Sequence, residues 1–272
     1  MPHSRRKQLE IENREADFLR IARRLFLANG MQGLTMDKLA AQTPYSKGTI
    51  YQHFASKEDV LAALCLESGR LRFGLLERAA MFRGRSRERA IALAKADYIF
   101  FRLYPDYWRT EQISNVLNVG FRVSPERRAA RDALFEAGAG IALGIIRDAI
   151  VAGDLALKPP LTPEKVFLGL LGTTRGLYLY CSGNPPFRKW AGELWSTHEQ
   201  LFGSACDGFG WRPLSKDWDY ADTVNRIWRE IFPSETAKLA LEARQQPAHI
   251  HDPPNYDEPA PARRSRATRL RR

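Results

Sequence analysis

Residues 34–60 read LTMDKLAAQTPYSKGTIYQHFASKEDV, and the punctuation of this stretch decides the fold. Thr35 is a good N-cap for a short helix carrying Met36, Leu39 and Ala40. Pro44 interrupts the chain, because proline lacks the N–H that a continuing helix needs. Ser46 then caps a second short helix, from Lys47 to about Gln52. Ser56, with Asp59 three residues on, resembles a capping box and opens a longer helix with Val60, Leu61, Leu64 and Leu71 on its buried side. Upstream, Phe18, Ile21, Ala22, Leu25 and Phe26 recur at the spacing of one helix face, and Asn29-Gly30 ends that run. Two short helices joined by a tight turn and backed by a third are a helix-turn-helix. In that arrangement the second helix lies in the DNA major groove with its N-terminal residues nearest the bases.

The residue types suit that placement. Tyr45, Ser46, Lys47, Gly48 and Thr49 form a polar or small leading edge, and Gly48 has no side chain to hold the backbone away from DNA. Ile50 and Phe54 are expected to point inward, with Tyr51, Gln52 and His53 outward toward phosphates or base edges. Lys57, in the first turn of the next helix, can pair with a phosphate where the helix dipole also favours an anion.

The rest of the chain is helical in pattern. Helices are expected over about Arg87 to Leu103, Asp106 to Val119, Pro125 to Gly153 and Pro163 onward, the last two opened by Ser-Pro-Glu and Thr-Pro-Glu signals. Ser182 to Pro186 reads as a loop. Helices follow from about Trp195 to Phe209 and, as the last, from Tyr220 to Ile231. From about Gln245 prolines and charges replace aliphatic residues, which reads as a disordered tail. No segment sustains strand alternation.

Composition excludes several classes. The 272 residues include 42 Lys+Arg against 31 Asp+Glu, a net charge of +11. The excess sits at the two ends: residues 1–57 carry ten basic and five acidic side chains, and the final RRSRATRLRR carries six arginines and no acid. The body between them is neutral, so polyanion binding is expected at the ends. No apolar run approaches membrane-spanning length. The start has no apolar core of a secretory signal, so a cytoplasmic protein without membrane partners is expected. Cys65, Cys181 and Cys206 show no metal-ligand spacing. His249 and His251 lie in the tail, and neither a metal nor a cofactor is expected. No P-loop, GxSxG, HExxH or Ser/His/Asp set is present, which argues against an enzyme.

The pattern Leu25-Phe26, Gly30, Thr35, Leu39-Ala40, Ser46-Lys47-Gly48-Thr49-Ile50-Tyr51-Gln52-His53-Phe54 and Ser56-Lys57-Glu58 resembles the DNA-binding domain of TetR/AcrR-family transcriptional regulators. The match covers about residues 14–65. It implies an all-α protein with an N-terminal three-helix helix-turn-helix domain and a larger C-terminal helical domain for ligand binding and dimerisation. It also implies a homodimer on double-stranded DNA and an unidentified small-molecule inducer. Carried over by position, DNA contacts are expected from Thr35, Tyr45, Ser46, Lys47, Gly48, Thr49, Tyr51, Gln52, His53 and Lys57. Thr43-Pro44 departs from the small residue and glycine often found in that turn. The expected division is a basic arm at 1–12, the DNA-binding domain at 13–60, the ligand and dimerisation domain at 61–244 and an Arg-rich tail at 245–272.

Beyond residue 65 the resemblance thins. Val166, Phe167, Leu170, Leu171 and Thr174, with Leu201, Phe202 and Phe209, form a broad apolar face suited to half of a dimer bundle or to an intramolecular core. Phe101, Tyr104, Trp108, Phe121, Phe135 and Tyr178, with Arg175, are candidates to line a ligand pocket or to be plain core. Two functions stand at this point. One is a sequence-specific regulator, more often a repressor, released from a pseudo-palindromic operator by an inducer. The other is a non-specific or architectural nucleic-acid binder driven by the basic ends.

Overall fold

In the computed structural model, which describes residues 2–117 and 123–245, capping side chains open six of the helices. Helix α1 spans Pro2–Gly33 and is kinked at Asn29 and Gly30, where Gly30 adopts φ +59°. A β-carbon there would be strained, so the stop signal read from the sequence has a backbone cause. Helix α2 (Met36–Ala40) is capped by Thr35, whose hydroxyl accepts from the Lys38 N–H at 3.1 Å. Helix α3 (Lys47–His53) is capped by Ser46, which accepts from the Thr49 N–H at 3.1 Å. Helix α4 (Lys57–Ala80) is capped by Ser56.

The remaining helices are α5 (Ser86–Leu103), α6 (Pro105–Leu117), α7 (Pro125–Val151), α8 (Pro163–Gly183), α9 (Pro185–Ala191), α10 (Leu194–Gly208), α11 (Ala221–Glu230) and α12 (Pro233–Gln245). No strand occurs among the described residues. Two elements differ from the sequence reading. The stretch expected to be a loop at Ser182–Pro186 is the end of α8 and the start of α9, because prolines 185 and 186 occupy the first turn of a new helix. Helix α12 follows the one expected to be last; Glu235 in its first turn is held by the Arg78 guanidinium at 2.6 Å. Phe121 and the Arg-rich end lie outside the described residues.

The hydrophobic core has two centres. Phe18, Phe26, Leu39, Ile50, Phe54 and Val60 unite α1, α2, α3 and the start of α4. Phe82, Phe100, Trp108, Ile145, Tyr178, Phe202 and Trp211 lie in the second, built from the later helices. Helix α4 runs through both, so the boundary expected at 60/61 falls inside a continuous helix, and residues 2–12 are the opening turns of α1. Among the described residues no helix is long and apolar enough to cross a membrane.

Candidate DNA-binding surface and regulatory cavity

The turn between α2 and α3 accommodates Pro44 through its neighbour. The Thr43 hydroxyl donates to the Ala40 carbonyl at 3.3 Å and accepts from the Tyr45 N–H at 3.4 Å. The departure at Thr43-Pro44 therefore leaves α3 correctly launched. Ser46, Lys47, Gly48, Tyr51 and Gln52 are exposed, with Thr35, Thr49 and Lys57 half-buried beside them. The Lys47 ammonium pairs with the Asp37 carboxylate at 2.6 Å. That hydrogen bond and the charge of Asp37 raise the Lys47 pKa, so it stays cationic.

Two candidates differ from expectation. His53 turns inward: its side chain is only 7% exposed, its ring sits 5.3 Å from that of Phe18, and Nδ1 lies 3.6 Å from Glu15. The last turn of α3 rests on α1, whose Phe18 and Glu15 draw the imidazole away from solvent. Tyr45 is half-buried, edge-on to Phe18 at 5.3 Å with the Arg14 guanidinium over its ring. Both side chains buttress α3 instead of facing outward.

Two arginines tie this domain to the later helices, and local pattern gave no hint of either. Arg127, in the first turn of α7, donates to Glu15 of α1 at 3.1 Å and to the His53 carbonyl at 3.0 Å, and lies 3.4 Å from Asp59 of α4. Its guanidinium also covers the Phe54 ring at 4.8 Å. Asp59 in turn accepts from the backbone N–H groups of Ala55 and Ser124. Arg23 of α1 bonds Glu67 at 2.7 Å, Ser68 at 3.3 Å and Thr110 of α6 at 3.0 Å, with Tyr107 of α6 stacked 3.8 Å away. Each arginine joins several helices at once, and such contacts between residues far apart in sequence leave no local signature.

A cavity of about 640 Å³ opens between α4, α5, α7 and α8. That volume suits a drug-sized molecule. Its walls are apolar, among them Phe73, Leu93, Leu134, Ile145, Phe167 and Leu171. Its polar part is made by ion pairs between helices. Arg72 grips Asp97 at 2.6 and 3.3 Å, and Arg175 pairs closely with Glu111. Burial opposes ionisation of Asp97, yet the charge and hydrogen bonds of Arg72 hold its carboxyl below the ordinary value. Thr174 meets Nε2 of His198 at 3.0 Å. Burial, with Lys95 beside it, lowers the His198 pKa to about 4, so the ring is neutral at pH 7.

Of the expected pocket residues, Phe135 and Arg175 line this cavity. Phe101, Tyr104, Trp108 and Tyr178 do not. Phe101 stacks on Tyr178 at 4.8 Å and stands edge-on to Trp108 at 5.3 Å, and Tyr104 stacks with Phe100 at 6.4 Å. Ring against ring leaves no space for a guest. Of the expected dimer residues, Val166, Leu170, Thr174 and Phe202 are buried within the chain's own fold. Leu170, Thr174 and Phe202, with the half-buried Phe167 and Leu171, line the cavity. Phe209 packs over Gly169, where an added β-carbon would lie 2.8 Å from its ring. Leu201 alone of that set is well exposed; beside it the sequence reading missed Leu168 and Leu179, 63% and 49% exposed on one side of α8.

Burial raises the thiol pKa of Cys181 and pushes that of Cys206 up to about 12, keeping both protonated. No group of three potential metal ligands occurs among the described residues.

Residues 18–64 match the family model described as bacterial regulatory proteins, tetR family. A regulatory protein of that family from Rhodococcus RHA1 is similar in structure, with TM-score 0.56 and 20% identity over 72% of this chain and 96% of that one. FadR from Bacillus subtilis, solved with stearoyl-CoA, has TM-score 0.54 and 17% identity over 70% of this chain and 97% of that one. A regulator from Saccharomonospora viridis, solved with choline, has TM-score 0.52 and 17% identity over 72% and 95%. No curated protein sequence matches the chain. Residues 18–64 thus match the tetR-family DNA-binding domain, and the fold of the chain is similar to that of solved tetR-family regulators.

Proposed function

We propose that the protein is a repressor that binds a pseudo-palindromic operator as a homodimer and is released by a small molecule. The observation that carries this reading is the pair of arginine links, Arg127 and Arg23, between the recognition helix's domain and the helices that wall a ligand-sized cavity. The ligands held by two proteins of similar fold, stearoyl-CoA and choline, support a regulatory role for the cavity.

Ser46, Lys47, Gly48, Thr49, Tyr51 and Gln52 meet DNA, with Thr35 and Lys57 on flanking phosphates. Tyr45 and His53 set the pose of α3. The dimer forms through the exposed side of α8 and α10, centred on Leu168, Leu179 and Leu201, which are spaced to share a face with Gly172. A dimer reads two half-sites about one helical turn apart, so recognition-helix spacing decides affinity.

Ligand and operator are then linked through α6 and α7. Leu134 and Phe135 line the cavity about two turns along α7 from Arg127. Glu111 lies at the cavity, next to Thr110, which holds Arg23. A guest that shifts either helix loosens the hold on α1 and α3. It can move the equilibrium only by its difference in affinity for the two states. The test is competition: operator DNA and a ligand should each weaken binding of the other by the same factor. Independent binding of the two would refute the coupling.

A further inference from the structure

The chemistry of the cavity selects its ligand. Beside the neutral Thr174, its most buried charges are already matched to one another: Arg72 with Asp97 and Arg175 with Glu111, all four side chains no more than 20% exposed. More exposed on the cavity wall, Arg131 pairs with Asp132 at 2.8 Å, and Glu136 stands exposed. A buried charge needs a partner of opposite sign. A carboxylate guest gains from Arg72 or Arg175 only by competing with Asp97 or Glu111, which repel it. An ammonium guest meets the reverse conflict. A neutral group that both donates and accepts hydrogen bonds meets no such conflict, because each pair offers it N–H donors and carboxylate acceptors together. The surrounding wall of Leu66, Phe73 and Leu134 takes an apolar body.

We infer that the cavity binds a net-uncharged, mainly apolar molecule ending in a hydroxyl or primary amide, with that end set against the Arg72–Asp97 and Arg175–Glu111 pairs. This rests on the regulatory reading only for its consequence at DNA; the binding itself is a property of the cavity.

The test uses the full-length protein and three probes with one tail: decan-1-ol, decanoate and decyltrimethylammonium. Binding is read by tryptophan fluorescence, Trp211 being part of the cavity wall, and by thermal midpoint. Decan-1-ol is expected to bind at least tenfold tighter than either ion. Glu111→Gln leaves Arg175 without its counter-charge and should move the preference at least tenfold toward decanoate. Arg175→Gln should move it equally toward decyltrimethylammonium. If either substitution unfolds the chain, Asp97→Asn repeats the first arm at the other pair. Wild-type preference for either ion, binding of none of the three, or a preference unmoved by the folded variants would overturn the inference. Binding in the expected order with no effect on operator affinity would uphold it and sink the regulatory reading instead.

Discussion

Substituting Arg127 by Gln separates a residue that poses the recognition helix from one that touches DNA. The side chain is 15% exposed and bonds Glu15, Asp59 and the His53 carbonyl. Truncating one partner of a buried ion pair costs roughly 3–5 kcal/mol, largely from the charge left behind. Here the remainder is milder. Glu15 is 32% exposed and can be solvated, and Asp59 keeps the backbone N–H groups of Ala55 and Ser124. We therefore expect a loss of about 2 kcal/mol in the docking of α7 on the DNA-binding domain. If only the docked state fits both half-sites, that loss lowers operator affinity by up to about 30-fold. Arg127 contacts no phosphate in this account, so the slope of log affinity against log salt should stay unchanged. Fluorescence anisotropy of a labelled operator duplex over a salt series reads both quantities. Unaltered affinity in a variant shown by thermal melting to have lost the stability would refute the reasoning. So would a slope reduced by about one, the mark of a direct phosphate contact.

Three further outcomes are expected. Lys57→Gln should weaken binding to all sequences and reduce the salt slope by about 0.9, whereas Gln52→Ala should relax discrimination between operator variants and leave the slope intact; anisotropy again decides. If the proposed dimer forms through α8 and α10, Leu168→Glu with Leu201→Glu should give a monomer in sedimentation velocity where wild type is dimeric, while leaving helix content unchanged. Lys95 supplies a pH test. It is fully buried against Trp195 and Trp228, and burial lowers its pKa to about 6, with Glu199 and Glu193 opposing. The unfolded chain then binds the extra proton between about pH 6 and 10.5, so native stability gains up to about 1.4 kcal/mol per pH unit as pH rises through that window. Lys95→Met should therefore be more stable than wild type near pH 6, with the advantage closing toward pH 9. A variant less stable at every pH would show that the aromatic faces hold Lys95 as a cation.

What the sequence conveyed was local. Thr35, Ser46, Ser56, Ser124 and Thr162 were readable as caps because a cap is a short-range contact, and each caps a helix. Gly30 was readable as a stop for the same reason. What escaped reading was set by partners distant in sequence. The inward Ile50 and Phe54 put His53 on the outer side of an isolated helix, but Phe18 and Glu15 of another helix claim it. Helix α12 carries Ala237, Leu239, Ala240 and Leu241 but no long apolar face, and its start is fixed by Glu235 pairing with Arg78, 157 residues away. The apolar breadth of α8 was visible, but one helix there serves three ends: Val166 and Tyr178 go to the core, Leu171 to the cavity and Leu168 to the outside. Composition cannot apportion them. The links of Arg23 and Arg127 carry the functional argument and have no pattern to betray them.

The most direct test of a sequence-specific regulator is enrichment of fragmented source-genome DNA on the purified full-length protein at about physiological salt, followed by sequencing. The account predicts a few fragments sharing one pseudo-palindrome, with half-sites about one helical turn apart. Diffuse recovery without a shared site, lost when the Arg-rich end is removed, would contradict it and assign the affinity to non-specific polyanion binding.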